Sequence, residues 1–199
     1  MGELTLLLTN GDSRDFSSLK IAQDVVESKC VLVCANEYSM SGFVLEVLVK
    51  RSKLLKLDID CSDEGELLDI LWDEYLELSA QDTLVLNVFS QVSNHLEVDQ
   101  VAPLLRDGGY DVLYLLPGEF MHGSIAQQKQ VLRLVDWVYR ETTVEVCCFC
   151  EERSLIYNEA SEIASTVKEV KYLDDEVFVL SRKTNGNWRK QIDIETIMV

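Results

Sequence analysis

Leu4-Thr5-Leu6-Leu7-Leu8-Thr9-Asn10-Gly11-Asp12-Ser13-Arg14-Asp15-Phe16-Ser17-Ser18-Leu19-Lys20 decides how the rest of this 199-residue chain is read. A short apolar run, Leu4 to Thr9, breaks at Asn10-Gly11 and resumes as a helix near Leu19. A strand feeding a helix through a glycine is where α/β nucleotide-binding proteins build a phosphate cradle, because backbone N–H groups and the helix N-terminus converge there on an anion. Laid on the pattern G-x-x-x-x-G-K-[ST], the segment keeps the first glycine, Gly11, and the last hydroxyl, Ser18. It places Phe16 where the second glycine belongs and Ser17 where the lysine belongs. Asp12 and Asp15 add negative charge beside the space a triphosphate would fill. The stretch predicts nucleotide-binding architecture without nucleotide chemistry, and no cofactor.

Working outward, apolar positions Leu19, Ala22, Val25 and Val26 keep a helical spacing, and Cys30 to Ala35 is a continuous apolar run of the kind buried in a parallel sheet. Strand, helix, strand is one right-handed crossover. Ser39 to Arg51 continues as a helix, with Ser39 or Ser41 as its cap. Leu54 to Ile59 reads as a short strand. Asp63 to Leu78 is a helix expected to set Leu67, Leu68, Leu71, Trp72, Tyr75 and Leu78 on one side and its acidic residues on the others. A solvated helix face accounts for those acids; docking of a basic partner is the other reading.

Further strands are expected at Asp82–Phe89, Tyr110–Leu116 and Val144–Cys150, and helices at His95–Leu105, interrupted by Pro103, and Ser124–Glu141. Gly108-Gly109 and Pro117-Gly118 stop the elements they follow. A polar segment, Glu151 to Ser165, leads to two runs, Glu176–Ser181 and Trp188–Ile194, flanking Asn185-Gly186, a strong hairpin signal. The expected fold is an open, largely parallel α/β sheet flanked by helices with a C-terminal antiparallel β-hairpin.

Length and charge narrow the function. A chain of this size buries about 70% of its unfolded surface in one core, and no Pro-, Gly- or Ser-rich linker divides it, so one domain over residues 1–199 is expected. No run approaches the roughly 20 apolar residues of a membrane helix, and Met1-Gly2-Glu3 lacks a signal peptide's basic start. A soluble intracellular protein is expected, with its six cysteines reduced. Thirty-five acidic against eighteen basic side chains give a charge of −17, which makes the chain a poor DNA binder alone and favours basic protein partners.

Two blocks carry a resemblance. Leu84-Val85-Leu86-Asn87-Val88-Phe89 with Val92-Ser93-Asn94-His95, then a helix ending at Gly109 and the strand to Leu116, resembles the core of eukaryotic recombinases of the RecA family. There, such a strand leads by a helix to the Walker B strand. Val31-Leu32-Val33-Cys34-Ala35-Asn36-Glu37 is similar to that family's strand ending in its catalytic glutamate, which places Glu37 at that position. The departures matter as much. Walker A lacks its lysine, and Pro117 stands where the family keeps a magnesium-anchoring aspartate, with no carboxylate until Glu119. The resemblance therefore implies a RecA-like member that does not hydrolyse ATP.

The stretches matching the family's DNA-binding loops, Gly118–Ser124 and Glu151–Asn158, lack the basic groove and stacking aromatics of single-strand binders. The chain starts at its first strand without the family's N-terminal helical domain and contains no Phe-x-x-Ala polymerisation plug. The resemblance implies a subunit that caps or remodels a filament. Its expected partners are an ATPase-competent recombinase paralogue and a recombinase filament, with single-stranded DNA reached only through the complex, no membrane, and a nuclear location. Subunits of the family meet across the nucleotide site, so Asp12, Arg14, Phe16, Pro117, Glu119 and Phe120 are expected at the interface, with Trp188 of the hairpin joining them if exposed.

Two alternatives stay open: an accessory RecA-like subunit of the Elongator complex, acting in transfer-RNA wobble-uridine modification, and an enzyme using Glu37 and Glu119. Cys148 and Cys150 share a strand face but supply two ligands at most, so core packing is expected of them. His95 and His122 have no nucleophile to activate. The hairpin's Arg182, Lys183, Arg189 and Lys190 read as edge protection, with an acidic neighbour or a DNA backbone as the other reading.

Overall fold

The chain's elements run, in order, β1 (Leu4–Thr9), α1 (Arg14–Val26), β2 (Val31–Asn36), α2 (Met40–Leu55), α3 (Glu64–Ala80), β3 (Leu84–Phe89), α4 (Val98–Asp107), β4 (Val112–Leu115), α5 (Ile125–Glu141), β5 (Glu145–Cys150), α6 (Leu155–Ala160), β6 (Thr166–Leu173), β7 (Glu176–Lys183) and β8 (Ile194–Ile197). The structure is a computed structural model, and it describes residues 3–9, 14–36, 40–57, 64–89, 98–116, 125–150, 154–173, 176–183 and 194–197.

The strands form one eight-stranded sheet in the order β3-β2-β4-β5-β1-β6-β7-β8. The first six are mutually parallel; β7 is antiparallel to both neighbours, so it alone runs against the rest. The crossovers from β1 through α1 to β2, and from β2 through α2 and α3 to β3, step one way along the sheet. Those from β3 to β4, β4 to β5 and β5 to β6 step the other way. Right-handed crossovers put opposite steps on opposite faces. Accordingly α1 packs on α2 and α2 on α3, while α5 packs on α4 and α6.

Coverage of both faces explains why the strands read as unbroken apolar runs. Val31, Leu32, Val33 and Cys34 are all buried, as are Val112 to Leu115 and Val146 to Cys150. The core is continuous across the sheet, from Leu84 at one side to Val167 at the other.

Three helices stop by the same device. After α1, Ser28 N–H bonds the Val25 carbonyl at 3.0 Å and Lys29 N–H the Asp24 carbonyl at 3.0 Å. Lys56 and Leu57 do the same to Lys53 and Ser52 after α2, and Asp82 and Thr83 to Ser79 and Leu78 after α3. These are Schellman caps, whose turning residue takes a left-handed conformation. Here it is Ser28 (φ 64°), Lys56 (φ 54°) and Asp82 (φ 54°), where glycine is the usual occupant. Beyond α4 the left-handed position is a glycine, Gly109, at φ 64°.

Several local expectations are corrected. Leu54 and Leu55 are the last turn of α2, and Lys56 and Leu57 its cap, so no strand begins at Leu54. α1 begins at Arg14, five residues before Leu19. The polar segment hides α6, whose N-cap Ser154 accepts from Tyr157 N–H at 3.1 Å. It is followed by β6, whose charged Lys168, Glu169 and Lys171 mask a strand that pairs with β1 on one side and β7 on the other. On α3, Leu71 is buried while Leu68 and Trp72 are exposed. β7 does pair antiparallel with β8, but a two-residue turn at Asn185-Gly186 would set Leu180 opposite Gln191, and its partner is Ile194.

Candidate functional site

In an open parallel sheet, ligands bind beyond the carboxyl ends of strands, where neighbouring crossovers leave toward opposite faces. β1 is such a place: α1 lies on one face, and the crossovers from β4 and β5 on the other. Register aligns the ends of four strands along that edge, with Leu8 opposite Cys150, Leu115 opposite Cys148 and Cys34 opposite Leu115. β5 lies between β1 and β4. Gly11 and Asp12, Glu37, and Pro117, Glu119 and Phe120 follow on the ends of β1, β2 and β4 in the sequence. They lie outside the described residues, as does Trp188. Arg14, Phe16, Ser17 and Ser18 are described, and all four belong to the first turns of α1.

Phe16 is 3% exposed, with its ring edge-on to Phe149 of β5 at 6.2 Å between centroids. Phe149 in turn meets Tyr114 of β4 at 6.4 Å. The aromatic side chain at the pattern's second glycine is therefore a core residue joining α1 to the sheet. Its expected place on a partner-facing surface is corrected, because the side chain is enclosed by this chain's own residues.

Ser17 and Ser18 are buried and turn back on their own helix. Ser17 Oγ donates to the Arg14 carbonyl at 3.0 Å. Ser18 Oγ lies 2.8 Å from that carbonyl and 2.7 Å from Glu46 Oε1 on α2, so its single proton is shared between them. It also accepts from Lys50 Nζ at 2.9 Å. Glu46 further receives Arg14 Nε at 2.7 Å and Lys50 Nζ at 3.2 Å. Glu46 thus receives a guanidinium and a hydroxyl from the start of α1 and an ammonium from its own helix. A serine between a carboxylate and an ammonium has the composition of a nucleophilic dyad. At 0% exposure, however, Ser18 leaves a substrate no approach.

Glu46 and Lys50 were not singled out in the sequence. Their signal was an i, i+4 acid–base pair on the helix after β2, an ordinary surface motif whose link to α1 only the fold supplies.

A second polar centre lies toward the other end of α1. Asp24, 1% exposed, accepts from Lys20 Nζ at 2.8 Å and Lys29 Nζ at 2.7 Å, and from the Tyr114 hydroxyl of β4. Burial pushes its pKa up, but these donors outweigh burial and hold it below the ordinary carboxylate value. Burial, helped by nearby negative groups, pushes the Tyr114 phenol well up.

Cys34, Cys147, Cys148 and Cys150 are buried free thiols with pKa values raised by burial, that of Cys150 to about 12. Buried thiols held in the protonated form are poor nucleophiles at neutral pH. No described helix is long and apolar enough to cross a membrane.

No protein-family model and no curated protein sequence matches the chain. Solved structures do. A KaiC-like protein from the hyperthermophilic archaeon Pyrococcus horikoshii aligns over 96% of this chain and 82% of its own, at 11% identity and a TM-score of 0.57. The RadB recombinase aligns over 97% of this chain and 86% of its own, at 14% identity and a TM-score of 0.59. With six parallel strands between two helical layers and β7 reversed at one side, the chain has the RecA-like fold.

Proposed function

We propose that this chain is a non-catalytic recombinase paralogue: a RecA-like subunit that pairs with an ATPase-competent paralogue and acts on recombinase filaments during homologous recombination. One observation carries the reading, the first two turns of α1. A phosphate loop needs an open arc of backbone N–H groups, a lysine for the β/γ-phosphates and a hydroxyl for the metal. Here the helix already begins at Arg14, within the span of the pattern, and Phe16 is built into the core. Ser17 stands in the lysine's place with its hydroxyl on Arg14, and the Ser18 hydroxyl is engaged by Glu46 and Lys50. These residues do not fit a magnesium-bound triphosphate. Pro117 in place of a metal-anchoring carboxylate agrees with that.

What remains is a RecA-like body whose work is differential binding: contacts made with one conformation of a filament and absent from another shift the filament's population. The −17 charge suits a subunit that reaches DNA through others.

Two measurements test this. The purified chain with ATP and magnesium is expected to give neither a retained nucleotide nor turnover; turnover lost on Glu37→Gln would establish an enzyme instead. Co-purification from cells followed by mass spectrometry is expected to return recombinase-family proteins. Recovery of Elongator subunits in their place would overturn the assignment.

A further inference from the structure

Among the described residues eight large apolar side chains are exposed, and all but Ile125 come from the segment between Leu54 and Leu76. On α3, Ile70 apart, they are ordered. Leu68 (45% exposed), Trp72 (42%) and Leu76 (51%) recur every fourth residue, so they line one stripe of the helix, about 12 Å long at 1.5 Å per residue. The next residue in each case is acidic: Asp69, Asp73 and Glu77 are all exposed and form a parallel row beside the stripe. The helix is held from the face next to the stripe, where Leu71 packs with Val44 and Leu48 of α2 and Glu74 pairs with Arg51. Trp72 touches the Tyr75 ring on its own helix at 5.3 Å between centroids, yet all three side chains of the stripe keep more than two fifths of their surface exposed, and an exposed apolar patch with a polar rim marks an interaction surface.

Charge selects the occupant. A second copy of this chain would bring its own −17 charge and acidic row against this one, and an anionic lipid surface meets the same repulsion. We infer that α3 docks a basic amphipathic helix of a partner protein, whose apolar side chains cover Leu68, Trp72 and Leu76 while its lysines or arginines meet Asp69, Asp73 and Glu77. A tryptophan at the centre of the stripe is the residue type that dominates binding at such surfaces. The surface is separate from the start of α1: α3 packs on β3, four strand spacings, or about 19 Å, from β1. The inference does not rest on the recombinase reading and survives its failure.

The probe is a fluorescein-labelled synthetic peptide of about 18 residues, long enough to hold a helix. It carries leucine on one face and lysine beside it, and is compared with a scrambled peptide and a version with glutamate for lysine, by anisotropy against the full chain. The basic peptide is expected to bind in preference to both controls. Trp72→Ala is expected to weaken it by about tenfold or more, and Asp69→Lys with Asp73→Lys to weaken it and admit the acidic peptide. All three side chains are exposed, so thermal midpoints should stay near the parent's; if Trp72→Ala melts, Leu76→Ser gives the same readout. Binding indifferent to these changes overturns the inference. So does self-association in sedimentation that Trp72→Ala abolishes, or equal binding to phosphatidylserine vesicles.

Discussion

A carboxylate survives inside this protein at 1% exposure because Lys20, Lys29 and Tyr114 all donate to it. Asp24→Asn keeps the shape but leaves two ammonium groups facing a neutral amide, a change expected to cost about 3–5 kcal/mol and readable in a denaturant midpoint. The pH dependence follows from direction. The folded pKa of Asp24 lies below 3.8, so its stabilisation is complete above that value and is lost as pH falls through the lower folded pKa. Lys29 is raised from 10.5, chiefly by Asp24 working against burial, so its contribution holds below 10.5 and is lost as pH rises through the folded value. In acid, Asp24→Asn should flatten the fall in stability that the parent shows. Phe16 gives a second test. Phe16→Ala removes the ring between α1 and Phe149 and should cost about 3–5 kcal/mol. Phe16→Gly with Ser17→Lys restores the letters of a phosphate loop, yet is expected to melt earlier and gain no ATP turnover, since Glu46 and Lys50 still engage Ser18.

At the level of elements, the caps offer the cleanest substitutions. Ser28, Lys56 and Asp82 hold left-handed conformations that burden any side chain with a Cβ. Lys56→Gly should therefore raise stability by about 0.5–1 kcal/mol, seen as a higher urea midpoint at unchanged slope. Gly109→Ala should lower it by about 1–2 kcal/mol. The same elements explain what could be read in advance. β1, β2, β4 and β5 were legible because strands covered on both faces need nothing but apolar residues. β6 was not, because Lys168, Glu169 and Lys171 break its pattern, and its pairing between β1 and β7 is a tertiary fact. Leu54-Leu55 misled because an apolar pair at a helix end and the start of a strand look alike without the cap. Leu68 and Trp72 misled differently: on a helix with apolar residues on most of its circumference, periodicity does not say which of them face the sheet.

For the whole molecule, the replaced lysine and second glycine of the candidate site were legible as letters, and the partners of the surviving hydroxyl were not. Glu46 reaches Ser18 across 28 positions of sequence because α1 and α2 are consecutive crossovers on one face. The overall charge carries its own expectation. With −17 to hold in one compact body, self-repulsion opposes folding, so raising sodium chloride from about 0.02 to 0.2 M should increase the melting temperature as screening shortens from roughly 20 Å to under 10 Å. A melting temperature that falls with added salt would mean that the ion pairs of Asp24, Glu46 and Glu74 outweigh the repulsion.

The place of β1 in the sheet has a consequence for biosynthesis. Its neighbours are β5 and β6, so Leu4 waits for Val146 and Thr5 for Thr166. On a ribosome adding about 5–20 residues per second, the leucine-rich segment of β1 stays without its partners for roughly 7–30 s. During that interval it is a hydrophobic strand with both edges open, the kind of segment that chaperones shield and that aggregates seize. A strand made long before both of its neighbours is thus among the last to find its place.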